Sequence, residues 1–220
     1  MEKIKVLIID DSAVIRKMLS DALSKSKNIE VVGSAIDPFI AASKIKSLNP
    51  DVLTLDVEMP RMDGITFLSK LMIAQPMPVV MVSTLTEEGA EQTIKALEAG
   101  AVDFIAKPKV DSSDAWEAFS QDLISKITIA SKSNIINKNK TKTKTQIPNK
   151  PKDLKKIADI KHKISKKYIV IGASTGGTEV ISRIISNMPE TVPGIAIAQH
   201  MPEKFTLAFA NRLNSISDLV

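Results

Sequence analysis

A serine stands between glycines directly after an apolar run in YIVIGASTGGTEV, residues 168–180. Within it, GASTG matches G-x-S-x-G, a pattern that exposes a nucleophilic serine, here Ser174, between a strand and a helix. A dinucleotide loop needs G-x-G-x-x-G, which fits poorly, and a P-loop needs a Lys that is missing. A plain helix start, capped by Ser174 or Thr175, remains the alternative. His200 ends the apolar run GIAIAQH, so parallel strands would bring it beside Ser174 as a candidate base.

A second set of reactive side chains follows the apolar runs nearer the N-terminus. Asp10 and Asp11 follow IKVLII, Asp56 ends VLTLD, Ser83 ends PVVMVS and Lys107 follows VDFIA. Carboxylates without His or Cys suit Mg²⁺, and a nearby lysine can pair with a carboxylate or a phosphoryl oxygen. A single Asp at a strand end is usually a turn or helix cap. The complete set, however, predicts a site for a metal and a phosphoryl group.

The elements that must position these side chains alternate strictly between strand and helix. Five short β-branched runs predict strands over 4–9, 29–35, 52–56, 78–83 and 102–106. Helical spacing between and after them predicts helices over 12–23, 38–48, 64–72, 87–99 and 114–127. This alternation predicts an α/β fold with a doubly wound parallel sheet, whose strand ends meet at one edge.

The net charge of +5 comes from one segment. Residues 131–167 hold thirteen Lys and two Asp, so the remainder of the chain is acidic. We expect residues 128–166 to form a flexible Lys-rich linker, because they lack the apolar periodicity that buries a face. The alternative is a basic arm for nucleic acid or an anionic membrane, but this segment holds no Phe, Tyr or Trp for base stacking.

A second α/β pattern follows the linker. YIVIGAS (168–174) is predicted as a strand followed by a turn, GIAIAQH (194–200) as a second strand, and helices are predicted over 178–185 and 204–213. Two strands and two helices are too few to close an α/β core, so we expect the beginning of a larger domain. Cys is absent, the N-terminus does not have the form of a signal peptide, and no apolar stretch approaches about 20 residues. We therefore expect a cytoplasmic protein without membrane insertion.

Residues 3–127 resemble a response regulator receiver domain, which has a flavodoxin-like fold. The resemblance rests on the Asp pair at 10–11, LTLDVEMPRMDG, MVST and DFIAKP. It implies that Asp56 accepts a phosphoryl group from a histidine kinase. It also implies that Mg²⁺ is held by Asp11, Asp56 and the backbone carbonyl of Glu58, with Asp10 helping through water. Ser83 and Lys107 would contact the phosphoryl group, and Phe104 would change rotamer with Ser83. Taken by itself, Phe104 would be interpreted as a core residue.

The full chain resembles the chemotaxis response regulator protein-glutamate methylesterase (CheB) family, most specifically in IGASTGGTE and QHMPEKFT followed by FANRLN. This implies domains at 1–127 and 167–220, the second being the first part of a Rossmann-like methylesterase domain. Ser174 would be the nucleophile, His200 its base, and Thr175 would lie beside the site. The family hydrolyses methylglutamates of chemoreceptors, many members also deamidate glutamines, and an unphosphorylated receiver covers the active site.

The family's third catalytic residue, an Asp far downstream of the His, has no counterpart before Val220. We therefore expect this chain alone to lack esterase activity. A receiver-only, non-enzymatic regulator is the alternative. A DNA-binding regulator would need a helix-turn-helix after the linker, where the sequence instead shows a strand and a Gly-rich turn.

Overall fold

The computed structural model of the chain describes residues 2–84, 86–107, 113–133 and 168–219. Its first part contains a five-stranded parallel sheet in the order β2-β1-β3-β4-β5. The five predicted strands are confirmed, with β4 and β5 each beginning one residue later than predicted. The strands are β1 Ile4–Ile9, β2 Ile29–Ala35, β3 Val52–Asp56, β4 Val79–Ser83 and β5 Asp103–Ala106.

Five helices cover the two faces of this sheet, as the alternating pattern predicts. They are α1 Ala13–Ser24, α2 Pro38–Leu48, α3 Gly64–Ala74, α4 Glu87–Ala99 and α5 Ser113–Ala130. Alternate residues of β1 point to opposite faces: Val6 and Ile8 pack with α1 and α5, and Leu7 and Ile9 with α2, α3 and α4. Both faces are therefore buried, and the polar strand ends stay at one edge.

Helix α5 corrects the predicted start of the linker. It continues through Ala130, three residues into the segment predicted as linker. Ile127 and Ala130 are fully buried against the α1 side of the sheet, and this burial extends the helix. Residues 134–166 of that segment lie outside the described residues.

The second part contains two parallel strands and two helices. They are β6 Tyr168–Ala173, α6 Gly177–Ile185, β7 Gly194–Gln199 and α7 Glu203–Ile216. Strand β6 ends before Ser174, as the predicted strand and turn require, and β7 ends one residue before its predicted end at residue 200. Helix α7 continues three residues beyond its predicted end at residue 213. Tyr168 and Val170 on β6 are largely exposed.

The two parts share one apolar core. Helix α7 packs on α4, and Phe205 and Phe209 of α7 belong to the same buried cluster as Ile94 and Leu97 of α4. This contact brings the second part against the α4 and β5 side of the first. No helix within the described ranges has both the length and the apolar character of a membrane span.

Candidate functional site

Three carboxylates meet at the carboxyl edge of the five-stranded sheet. Asp10 follows β1, Asp11 comes next, and Asp56 is the last residue of β3. One carboxylate oxygen of each lies within 4.8 Å of the others. Asp10 and Asp56 are almost fully buried, whereas Asp11 is exposed. The predicted acidic cluster is therefore assembled, with its opening on the Asp11 side.

Lys107 supplies the positive charge of this pocket. It follows β5, and its backbone N–H donates to the Ser83 carbonyl at 2.7 Å, which fixes its position beside β4. Its Nζ lies 2.7 Å from Asp56 Oδ2 and 3.4 Å from Asp10 Oδ2. A single ammonium therefore faces two buried carboxylates.

Burial dominates the electrostatics of the pocket. Loss of solvation raises the pKa of Asp56 to about 6, although the hydrogen bond from Lys107 acts in the opposite direction. Burial likewise raises the pKa of Asp10 against the pull of Lys107. Burial alone would lower the pKa of Lys107, but its bonds to Asp56 and Asp10 outweigh this and raise it. The pocket therefore carries more negative charge than one lysine stabilises.

These residues fit a hard divalent cation. Oδ2 of Asp10 is buried and has only the 3.4 Å ion pair with Lys107 Nζ as a partner, so it can accept a further cation. The cluster offers only oxygen ligands, which Mg²⁺ prefers. Asp56 Oδ1 is held by the backbone N–H of Glu58 at 3.3 Å, which orients the carboxylate at the pocket.

Ser83 and Phe104 lie in the same region but face away from Asp56. The Ser83 hydroxyl donates to the Gly89 carbonyl of α4 at 3.1 Å, and Thr93 donates to the same carbonyl at 2.7 Å. Phe104 is buried, and its ring stacks on Phe205 with centroids 4.6 Å apart. Both predicted switch residues therefore contact elements beyond the pocket. Sequence reasoning did not identify Thr93 or Phe205.

Ser174 and His200, the predicted nucleophile and base, also lie at the edge of a sheet. In the parallel register Ala173 pairs with Gln199, and the His200 N–H donates to the Ala173 carbonyl at 2.9 Å. Ser174 and His200 therefore leave neighbouring strands side by side. Neither Ser174 nor Thr175 caps α6, because its N-cap is Gly176, which has no side chain to do so. Within the described residues, no hydrogen bond joins the side chains of Ser174 and His200.

The Gln199 side chain connects the two loops at this edge. Its Nε2 donates to the carbonyls of Ser174 at 2.9 Å and His200 at 3.2 Å, which couples the two loops. Gly177 leaves room for that amide, since a Cβ there would lie 2.3 Å from Gln199 Oε1. The sequence prediction missed Gln199, and its position directly before His200 was the available signal.

The contact between α4 and α7 places this second edge close to the receiver-like part. An ion pair joins Glu98 of α4 to Arg212 of α7. On α5, Asp122 has a pKa raised by burial, an effect opposed by the charges of Lys126 and His200. The candidate histidine therefore lies within electrostatic reach of α5.

Family comparisons agree with this division of the chain. Residues 6–116 match the response regulator receiver domain, and residues 169–220 match the CheB methylesterase family. A protein of Hydrogenovibrio crunogenus, named protein-glutamate methylesterase/protein-glutamine glutaminase, is 46% identical over all of this chain and 64% of its own length. A protein of the same name from Nitrosomonas europaea is 51% identical over 98% of this chain and 60% of its own length. The chain thus spans about three fifths of these relatives.

Solved structures match the first part. The response regulator domain of Thermotoga maritima CheB is 44% identical, with a TM-score of 0.54, over 60% of this chain and 99% of that domain. The receiver domain of a response regulator from Mycobacterium tuberculosis is 30% identical, with a TM-score of 0.51, over 61% of this chain and 100% of that domain.

Proposed function

Because the chain belongs to the response regulator family and carries the first part of a CheB methylesterase domain, we propose that it serves chemotaxis as a phosphorylation-controlled methylesterase. In this proposal, phosphorylation of Asp56 controls the hydrolysis of glutamate methyl esters on chemoreceptors. The observation that carries it is the stacking of Phe104, at the phosphoryl-site end, on Phe205 of the helix that follows His200.

In the receiver reaction, an Asp56 carboxylate oxygen attacks the phosphorus of a phosphohistidine on a kinase. The phosphorus–nitrogen bond breaks, an acyl phosphate forms, and the imidazole leaves with a proton. Mg²⁺ held by Asp11, Asp56 and the Glu58 carbonyl, with Asp10 nearby, would offset phosphoryl charge. Lys107, now bonded to Asp56, would move its ammonium onto a phosphoryl oxygen.

In the ester reaction, the Ser174 hydroxyl attacks the ester carbonyl while His200 accepts its proton. His200 then gives that proton to the departing methoxide, which leaves as methanol. Water activated by His200 hydrolyses the acyl-serine and releases the glutamate side chain. A glutamine side chain would follow the same course and release ammonia. Thr175 lies beside the nucleophile, and Gln199 holds the backbone of both loops.

Regulation would act through the contact between α4 and α7. Ser83 leaves Gly89 to bond the new phosphoryl group, which frees space for Phe104 to move inward. Movement of Phe104 removes the ring on which Phe205 stacks. The second part then loses an anchor on the receiver. Ser174 and His200 are already exposed while this anchor is in place, so the change would alter the position of the second part and not uncover the pair.

The test is methanol release from methylated chemoreceptor by the 220-residue chain, with and without a small phosphodonor and Mg²⁺. Ser174→Ala is the control for the esterase and Asp56→Ala for the switch. We expect Asp56→Ala to abolish phosphoryl uptake, and persistent labelling would refute that assignment. Release that requires Ser174 and rises with phosphodonor supports the full proposal.

A receiver-only regulator is the second candidate. It is favoured by one observation: within the described ranges, no Asp or Glu is hydrogen-bonded to the His200 ring. An orienting carboxylate is worth about 10⁴ in turnover in a Ser-His-Asp site. Normal phosphorylation of Asp56 without any methanol release would select this candidate for the 220-residue chain.

A further inference from the structure

Helices α2 and α3 flank an open groove that belongs to neither site described above. It has a volume of about 310 Å³, which is within the range of ligand-binding pockets. None of its lining residues comes from α4, α5 or the second part of the chain. The apolar lining consists of Pro38, Phe39, Ala42, Ile45, Met62, Phe67, Leu71 and Ala74.

One wall of the groove is an exposed aromatic ring held in place. Phe39 lines the groove and is 53% exposed. The Arg61 guanidinium lies 4.8 Å from the ring centroid and bonds to Asp37 at 3.0 Å. The ring is therefore kept at the groove instead of folding onto the helix.

The charged residues that line the groove are both lysines. Helices α2 and α3 carry Lys44, Lys46 and Lys70 and no acidic residue. Lys46 and Lys70 line the groove itself, one from each helix. An acidic partner would therefore meet a lysine on either side of the apolar strip. The Lys-rich segment of this chain is a poor occupant, because like charges repel.

The groove lining extends along two turns of each helix. Phe39, Ala42 and Lys46 lie at i, i+3 and i+7 on α2. The corresponding strip on α3, Phe67, Leu71 and Ala74, lies at i, i+4 and i+7. Seven residues of helix span about 10 Å, so each strip runs for two turns. The groove is therefore an apolar slot about two helical turns long, which is the length over which a bound amphipathic helix places anchors at i, i+3 or i+4, and i+7.

We propose that the α2–α3 groove binds an amphipathic helical segment of another protein. About two turns of apolar side chains lie in the groove, and Asp or Glu residues flank them beside Lys46 and Lys70. The site is separate from phosphorylation and ester hydrolysis, so it does not depend on the proposed function.

The probe is a synthetic helical peptide of fourteen residues, about four turns, with Leu at i, i+3 and i+7 and Glu on both flanks. It carries a fluorescent label and is titrated into the 220-residue chain by anisotropy. We expect saturable binding that weakens with salt and that Ala42→Arg, which fills the groove, reduces at least tenfold. Ser43→Arg adds the same charge at an exposed position of α2 outside the groove lining, and it should bind like the unmodified chain.

The contribution of Lys46 and Lys70 to peptide binding is tested separately. Lys46→Glu with Lys70→Glu should lower affinity for the Glu peptide about tenfold and raise it for a matched peptide with Lys on its flanks. Lys27→Glu, exposed and outside the groove, is the control. The proposal is overturned if Ala42→Arg leaves binding unchanged or if both peptides bind the unmodified chain equally. It is also overturned if dodecanoate binds the groove and neither peptide does.

Discussion

Asp56 lies in a pocket where its negative charge is costly. Its pKa is raised from 3.8 to about 6 by burial, so the folded protein keeps a proton that the unfolded chain loses between those values. Stability therefore falls as the pH rises through this window, and the cost is fully present above pH 6. Mg²⁺ or a phosphoryl-bound cation would remove this cost by neutralising the carboxylate.

Replacement of Asp56 by Asn tests whether stability falls as the pH rises through this window. Without metal, Asp56→Asn should be more stable than the unmodified chain above about pH 6, by on the order of 3 kcal/mol. The difference should shrink toward about pH 4, where the Asp56 carboxyl becomes protonated in both states. Urea unfolding at a series of pH values with a chelator measures this, and parallel stability curves for the two proteins would contradict it.

Residue types at strand ends were predictable from sequence, but the partners of those residues were not. Asp10, Asp56 and Lys107 converge because parallel strands end at one edge, which periodicity alone predicts. The direction of the Ser83 hydroxyl depends on its rotamer and on the start of α4, which no local pattern encodes. The same holds for Gln199, whose Nε2 reaches a carbonyl 25 residues away in the chain.

At the scale of elements, α4 connects the two sites. Its first turn accepts the Ser83 hydroxyl at Gly89, and Ile94 and Leu97 farther along it pack with α7. Strand positions were predicted within a residue because apolar runs end sharply at polar residues. Helix ends were less predictable, since burial at Ala130 is a tertiary contact that the sequence pattern does not reveal.

Phe205→Leu tests whether α7 restrains the switch aromatic. Leucine keeps an apolar side chain at this buried position but removes the ring stack on Phe104, which is worth about 0.5–1.5 kcal/mol. We expect faster phosphorylation of Asp56 by a small phosphodonor and faster amide exchange in β5. Leu207→Ala, an exposed position on the same helix, is the matched control. Equal phosphorylation rates in both variants and the unmodified chain would argue against the restraint.

At the scale of the whole molecule, the contact between the two parts was invisible to sequence reasoning. From the sequence, Phe205 and Phe209 would be expected in the core of their own domain. Helical periodicity shows that one face of a helix is apolar, but it does not identify the element that packs against that face. Their burial against α4 depends on the shapes of both parts. The family resemblance implied such a contact but named none of these residues.

The ion pair between Glu98 and Arg212 offers a test of that contact. Both side chains are about 40% exposed, so we expect a small contribution, roughly 0.2–1 kcal/mol. Glu98→Arg and Arg212→Glu should each increase amide exchange in α7, and the double variant should restore it. Additive effects of the two single changes would mean that the pair does not couple the parts.

The Gly89 carbonyl has two hydroxyl donors, and this shapes the timing of the proposed signal. When Ser83 turns away, Thr93 still donates to that carbonyl, so no buried acceptor is left without a partner. The penalty of about 1–3 kcal/mol for an unsatisfied group is therefore avoided. The serine can exchange partners freely in either direction. The duration of the response would then follow the lifetime of the acyl phosphate and not the speed of the serine's return.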